Sequence, residues 1–262
     1  MTQKVLFLVC LISATTYGGQ STIAQYINRV GQPALEYTID NKVELNLASR
    51  GITSLEGFEM VTGKQDVNIV LLDHNEIAEL PVEPSILKQF DAIEELWMTN
   101  NKLTEVYAQA FASHSRLVWL SLNHNQINKI YSQSFACLTN LVDLNLAGNK
   151  IKQLPRDAFE HLGHLRFLDL GENQLDHVPV LTGLTQLRVL LLNHNHITRV
   201  KGNDLQEATR LEKVDFESNP LKRIDAGFFD KKHLRVVHIG NVAVSIIATA
   251  QQLQKIGSCL QE

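Results

Sequence analysis

One spacing dominates this chain and restricts what it can fold into. The segments LVWLSLNHNQI from Leu117, LVDLNLAGNKI from Leu141 and LRFLDLGENQL from Leu165 share the pattern LxxLxLxxNxL at 24-residue steps. Four further copies start at Val67, Ile93, Leu187 and Leu211, and weaker ones start at Lys42 and Leu234. Measured at the asparagine position, successive steps are 25, 26, 24, 24, 24, 22, 24 and 23 residues. Within each unit the alternation sends Leu120 and Leu122 one way and Trp119, Ser121 and Asn123 the other, as in an extended strand. A strand this short cannot bury its apolar side alone. Stacked copies bury it as a continuous column, so the periodicity predicts a solenoid.

The quoted units resemble the extracellular class of leucine-rich repeat proteins, and the resemblance runs from Lys42 to Val244. It implies an α/β-type solenoid, a horseshoe of about nine repeats with a parallel sheet on its concave side. It also implies a role for Asn75, Asn101, Asn125, Asn149, Asn173, Asn195 and Asn219, whose amides would form a ladder of hydrogen bonds to the backbone where the chain turns off each strand. Buried backbone outside a sheet needs such partners. Arg50 and Val242 interrupt the series at its two ends.

A second apolar column follows ten residues after the asparagine position, at Met60, Phe111, Phe135, Phe159, Leu205 and Phe229, and is expected under the convex side. The 22-residue unit after Asn173 lacks this phenylalanine and should be tighter. Residues 20–41 read as an N-terminal cap and 245–262 as a C-terminal cap and tail. In the tail, Ile246, Ala250, Leu253 and Ile256 fall at helical spacing and predict a short covering helix.

The first residues, MTQKVLFLVCLISATTYGG, place a lysine before an apolar run and small residues after it. That order predicts a secretory signal peptide over 1–19 and a secreted, extracellular protein with no membrane anchor. Loss of Cys10 would leave Cys137 and Cys259. Their repeats lie about four strand steps apart, too far for an internal bridge. Cys259 is therefore a candidate for an intermolecular disulfide and a disulfide-linked oligomer, against the alternative of a free thiol.

His74, His124 and His194 all precede a ladder asparagine. At ~4.8 Å per strand, His74 and His124 would be about 10 Å apart and His124 and His194 about 15 Å, too far to share a zinc ion. His161 and His164 would share a helical face, with no third ligand nearby. No metal, cofactor or catalytic constellation is expected, and the chain reads as a binding protein rather than an enzyme.

Function in such an array is expected on the sheet side, where each unit contributes its third and fifth residues. Both tryptophans of the chain, Trp97 and Trp119, fall there on adjacent strands, with Ile69 and Leu71 beside them and Phe167, Val189 and Leu191 beyond. Glu95, Asp143 and Asp169 share the face, and Lys213 is the sole lysine or arginine among the third, fifth, seventh and eighth positions. Such a surface repels phosphates and suits a basic or mixed protein partner rather than nucleic acid. The aromatics either bind that partner or pack on one another.

The leader, repeats and sparse cysteines are similar to the insect leucine-rich immune proteins of the coil-less type. That similarity implies an extracellular protein partner, such as a complement-like factor or another leucine-rich repeat protein, and a role in innate immunity. A structural or adhesive matrix component and a small-ligand carrier or decoy are the alternatives.

Overall fold

The computed structural model describes residues 42–80, 90–108 and 110–240, together with 21–23, 25, 27, 35–38, 245–247, 258, 260 and 261. The signal peptide expected over 1–19 and Cys259 lie outside them.

The third to fifth residues of each unit form a short strand, and the strands pair in register. Glu95, Trp119, Asp143, Phe167, Val189, Lys213 and Val236 face one another along the sheet, one per unit. The middle residue of each strand points inward and is buried, from Leu96 through Leu120, Leu144, Leu168, Leu190 and Val214 to Val237. Units follow one another in sequence order along the sheet, each strand joined to the next parallel one by a crossover, so the sheet forms a solenoid. Eleven strands belong to this sheet among the described residues. Its N-terminal edge is closed by Leu35–Tyr37, which runs antiparallel to Val43–Asn46. That pairing satisfies an edge that would otherwise present bare backbone groups.

The ladder residues bond alike. Asn149 Nδ2 donates to the carbonyls of Leu122 and Leu146 at 3.0 Å each, while its Oδ1 accepts the Ile127 N–H at 2.9 Å. One side chain thus ties its own turn to the turn before it. Asn75, Asn101, Asn125, Asn173, Asn195 and Asn219 make the equivalent bonds, and all seven are buried. Arg50 lacks the amide, and its backbone N–H donates to Asn75 instead.

Away from the main sheet the chain forms turns, short 3-10 segments and, among the described residues, three further sets of short parallel strands, one of them Ser21–Thr22 with Ile52–Ser54. Glu105–Val106 pairs with Lys129–Ile130, and Arg199–Val200 pairs with Arg223–Asp225. Phe111, Phe135, Phe159, Leu205 and Phe229 fill the space beneath. Met60 does not, being 38% exposed. In that unit the residue turned inward is Phe58, at the start of the 3-10 turn Phe58–Met60, and it meets Phe90 edge-on with ring centroids 4.6 Å apart.

Ile246 is not part of the covering helix expected in the tail, although Ser258 further along is helical. Ile246 lies in the strand Ser245–Ile247, which extends the pairing of Arg223–Asp225, and Leu260–Gln261 then pairs with Val236–His238. Two adjacent β-branched isoleucines suit a strand better than a helix turn. Ala250, Leu253 and Ile256 lie outside the described residues.

Candidate functional site

The left-handed backbone explains the repeated histidines. His74, His124 and His194 have φ of 55°, 52° and 52°, and the same position in other units holds Ser49, Asn100, Gly148, Glu172 and Ser218, all with positive φ. Among the described residues, each unit therefore turns off its strand through a left-handed residue immediately before the ladder position. That conformation disfavours β-branched side chains and favours Gly, Asn, Asp and His. The constraint is on backbone shape, which residues as different as glutamate and glycine conceal in the sequence. All three histidines are exposed. Among the described residues no group of three or more His, Cys, Asp or Glu is placed to hold a metal ion. His161 lies in a turn rather than a helix, and His164 Nδ1 sits 2.9 Å from the Thr139 carbonyl oxygen.

On the sheet side, Ile69, Leu71, Glu95, Trp97, Trp119, Asp143, Phe167, Asp169, Val189 and Leu191 are all half-buried. None is fully exposed, because side chains repeated every ~4.8 Å shade one another. Trp97 and Trp119 stack with ring centroids 5.1 Å apart and planes 18° from parallel. Their polar ends differ. Trp97 Nε1 donates to Glu95 Oε2 at 3.4 Å, and Lys42 Nζ bonds Glu95 Oε1 at 2.9 Å. Trp119 Nε1 is shut off from solvent with no hydrogen-bond partner, and so is Asp143 Oδ1, from the residue directly opposite on the next strand. Each such orphan costs about 1–3 kcal/mol.

The other acids of the face are already employed. Asp169 Oδ1 accepts the Gly171 N–H and Asp215 Oδ1 the Glu217 N–H, both at 2.9 Å, so these residues close their own turns. Thr99 and Ser121 both donate to Asn123 Oδ1, at 2.7 and 2.6 Å. Asp143 stands apart. Burial, with the Asp169 charge adding to it, pushes its carboxyl up from the ordinary 3.8 to about 6. Burial likewise raises Asp169, opposed by its bond from Gly171.

A raised carboxyl means that the folded chain holds this proton more tightly than the unfolded one. The stability it contributes is present below about pH 4 and is lost as pH rises through about 6. Asp143→Asn removes that loss. After discounting for the half-exposed setting, the variant should be more stable than the parent by about 1 kcal/mol at pH 7.5 and by less at pH 4.5, read from urea melts. Equal gains at both pH values would refute a titrating Asp143.

Cys137 is a free thiol of intermediate exposure. No helix among the described residues is long and apolar enough to cross a membrane.

Comparison with known proteins finds the leucine rich repeat family model over residues 91–151 and again over 139–197. No curated protein matches the chain. The solved structure of TLR13 in complex with ssRNA13 is 23% identical with a TM-score of 0.67, over 79% of this chain and 29% of that one. The internalin inlF of Listeria monocytogenes str. 4b F2365 is 18% identical with a TM-score of 0.63, over 91% of this chain and 63% of that one. At these identities the likeness is one of fold. The chain spans less than two thirds of the length of either.

Proposed function

Because the chain is a leucine-rich repeat protein, built on a scaffold suited to protein–protein binding, we propose that it is secreted and binds another extracellular protein through its concave sheet. The observation that carries this reading is the Trp97–Trp119 stack, half-buried in the middle of the sheet with Ile69 and Leu71 on one side. Large rings held rigidly by one another lose little freedom on binding, and tryptophan is enriched among residues that dominate interfaces. Phe167, Val189 and Leu191 supply a second apolar area beyond the polar strand of Asp143 and Asn145. The partner is of the complement-like class or a second leucine-rich repeat protein, and the setting is innate immunity. The likeness to insect leucine-rich immune proteins supports that part of the reading.

TLR13 was solved with RNA, yet here acids outnumber bases on the sheet face, which disfavours phosphate. The test is the double variant Trp97→Ala with Trp119→Ala, used as bait in extracellular fluid beside the parent, with retained proteins quantified by mass spectrometry. At least a ten-fold loss of the parent's retained partner is expected, with a parent-like circular dichroism spectrum. Undiminished capture by the folded double variant would refute binding through this face.

A further inference from the structure

We propose that the flank of the solenoid where the chain enters its strands binds an extended acidic segment of a protein partner, anchored by one apolar side chain. This surface is separate from the concave face, and the proposal stands or falls independently of the reading above. It is built from the second residue of each unit and the residue just before the unit. Backbone hydrogen bonds of 2.7–2.9 Å join the second residues in one row, from Glu94 through Val118, Val142, Arg166, Arg188 and Glu212 to Arg235. Neighbours in the row are ~4.8 Å apart. The five steps from Val118 to Arg235 cover about 24 Å, the span of about seven extended residues.

Two features of this flank point to a ligand. The first is charge. Five of the ten arginines of the chain, Arg116, Arg166, Arg188, Arg210 and Arg235, fall at the twelve such positions from Arg116 to Arg235, and Glu212 is the one acid there. All five are exposed. Arg188 holds Glu212 at 3.2 Å, whereas Arg116, Arg166, Arg210 and Arg235 make no ion pair among the described residues. Their charge is uncompensated on a chain whose net charge is -4. The second feature is an open groove of about 530 Å³ at the N-terminal end of the row, lined by Glu94, Arg116, Val118, Asn140, Val142 and His164. Val118, 38% exposed, and Val142, half-buried, supply its apolar surface. Two of its polar side chains are fixed to the preceding unit, since Asn140 Nδ2 donates to the Ser115 carbonyl at 2.8 Å and His164 Nδ1 to the Thr139 carbonyl at 2.9 Å. Glu94 is already held by Lys42 at 3.1 Å.

An acidic peptide with one apolar residue matches both features. Carboxylates accept forked hydrogen bonds from guanidinium groups, and an apolar side chain seated on the two valines removes their surface from water. Val142 is next to Arg166 in the row, so one segment reaches the groove and the arginines together. Complementary charge also excludes a basic segment. A sulfated glycan or an RNA strand would pair with the arginines but leave the valines against a charged, hydrated chain.

The probe is a blocked, fluorescein-labelled peptide of about ten residues, a leucine followed by glutamates spaced by glycines, titrated with the full chain at low ionic strength and read by anisotropy. A saturable rise is expected. The same peptide with glutamine in place of glutamate should bind at least ten-fold more weakly, and with serine in place of leucine several-fold more weakly. A heparin-derived octasaccharide and a single-stranded oligoribonucleotide should displace the peptide only at ten-fold higher concentration or more.

Arg166→Glu with Arg235→Glu should weaken the parent peptide at least ten-fold, and Val118→Ser several-fold, with parent-like circular dichroism spectra. Lys150→Glu with Lys222→Glu makes the same change of charge at exposed positions beyond the ladder asparagines, and should alter binding by less than about two-fold. Equal binding of the glutamate and glutamine peptides, or of the leucine and serine peptides, would overturn the proposal. So would equal losses in the arginine and lysine variants, which would reduce the effect to net charge. Displacement by either polyanion at or below the peptide's own concentration would overturn it in favour of a general polyanion surface.

Discussion

Replacing Asn149 by alanine is expected to lower the stability of the folded chain by about 3 kcal/mol, equivalent to roughly 9 °C in the melting midpoint for a protein of this size. The substitution removes one acceptor, used by the unit before, and the N–H donors that bond carbonyls of that unit and of its own. Ile127 loses the bond to its buried N–H, and the carbonyls of Leu122, Leu146 and Ala147 lose bonds of 3.0, 3.0 and 3.2 Å. These groups lie in turns packed against the next unit, where water does not replace the amide. Asn149→Asp should do no better, since it keeps the acceptor but loses the donors and adds a buried charge. Chemical denaturation of the parent and both variants checks this. A loss under 1 kcal/mol would show that the turns find other partners and that the ladder is incidental.

Gly183→Ala is expected to be as damaging for a different reason. Gly183 has φ of +88°, and a Cβ built there would stand 2.1 Å from the Glu160 carbonyl oxygen and 2.6 Å from its carbon. The obstruction is backbone of the preceding unit, so a rotamer change cannot relieve it. Overpacking in a tight site costs about 1–3 kcal/mol, and forcing an L-residue into left-handed geometry adds about 1–2 kcal/mol. A total of about 3 kcal/mol should appear in denaturant melts. Gly163→Ala is the matched control, since a Cβ there meets nothing within 4 Å, and its effect should stay within about 0.5 kcal/mol. Similar small losses for both would mean that the short unit relaxes freely.

The arithmetic of the 22-residue unit pointed to a tighter unit, though not to the residue at which it closes. Two residues fewer must bring the chain closer to its neighbour, and Gly183 is where it does so. The register of the sheet was equally legible, because side-chain alternation leaves one way to bury Leu96, Leu120, Leu144 and Leu168 together. Other features rest on quantities that residue identity encodes weakly. The left-handed turn is occupied by Ser49, His74, Asn100, His124, Gly148 and Glu172, whose chemistry has nothing in common apart from tolerance of that backbone. Met60 and Phe58 both satisfy an apolar column, and only the path of the 3-10 turn decides between them. In the tail, isoleucines at helical spacing compete with local β preference, and a neighbouring strand at Arg223–Asp225 settles Ile246.

The candidate site divides in the same way. That Trp97 and Trp119 would be neighbours follows from the repeat spacing. That Glu95 would satisfy one indole and leave the other unpaired depends on side-chain reach, for which the spacing carries no information. Asp143 is the third residue of its unit and Asp169 and Asp215 the fifth, and it is from the fifth position that Asp169, Asp215 and likewise Asn145 close their turns, while Asp143 does not.

The uniform bonding of Asn75 through Asn219 bears on how such a molecule evolves. Asn125 reaches back to Met98 and Leu103 in the same way that Asn173 reaches back to Leu146 and Ile151. Duplicating or excising one 24-residue period therefore leaves every new junction with a donor and an acceptor already in place. The breadth of the recognition surface can be inherited as a variable, adjusted by unequal recombination without inventing a new contact. The segment around Gly183 is the exception. It fits against the backbone at Glu160 and would be copied faithfully only together with the unit before it.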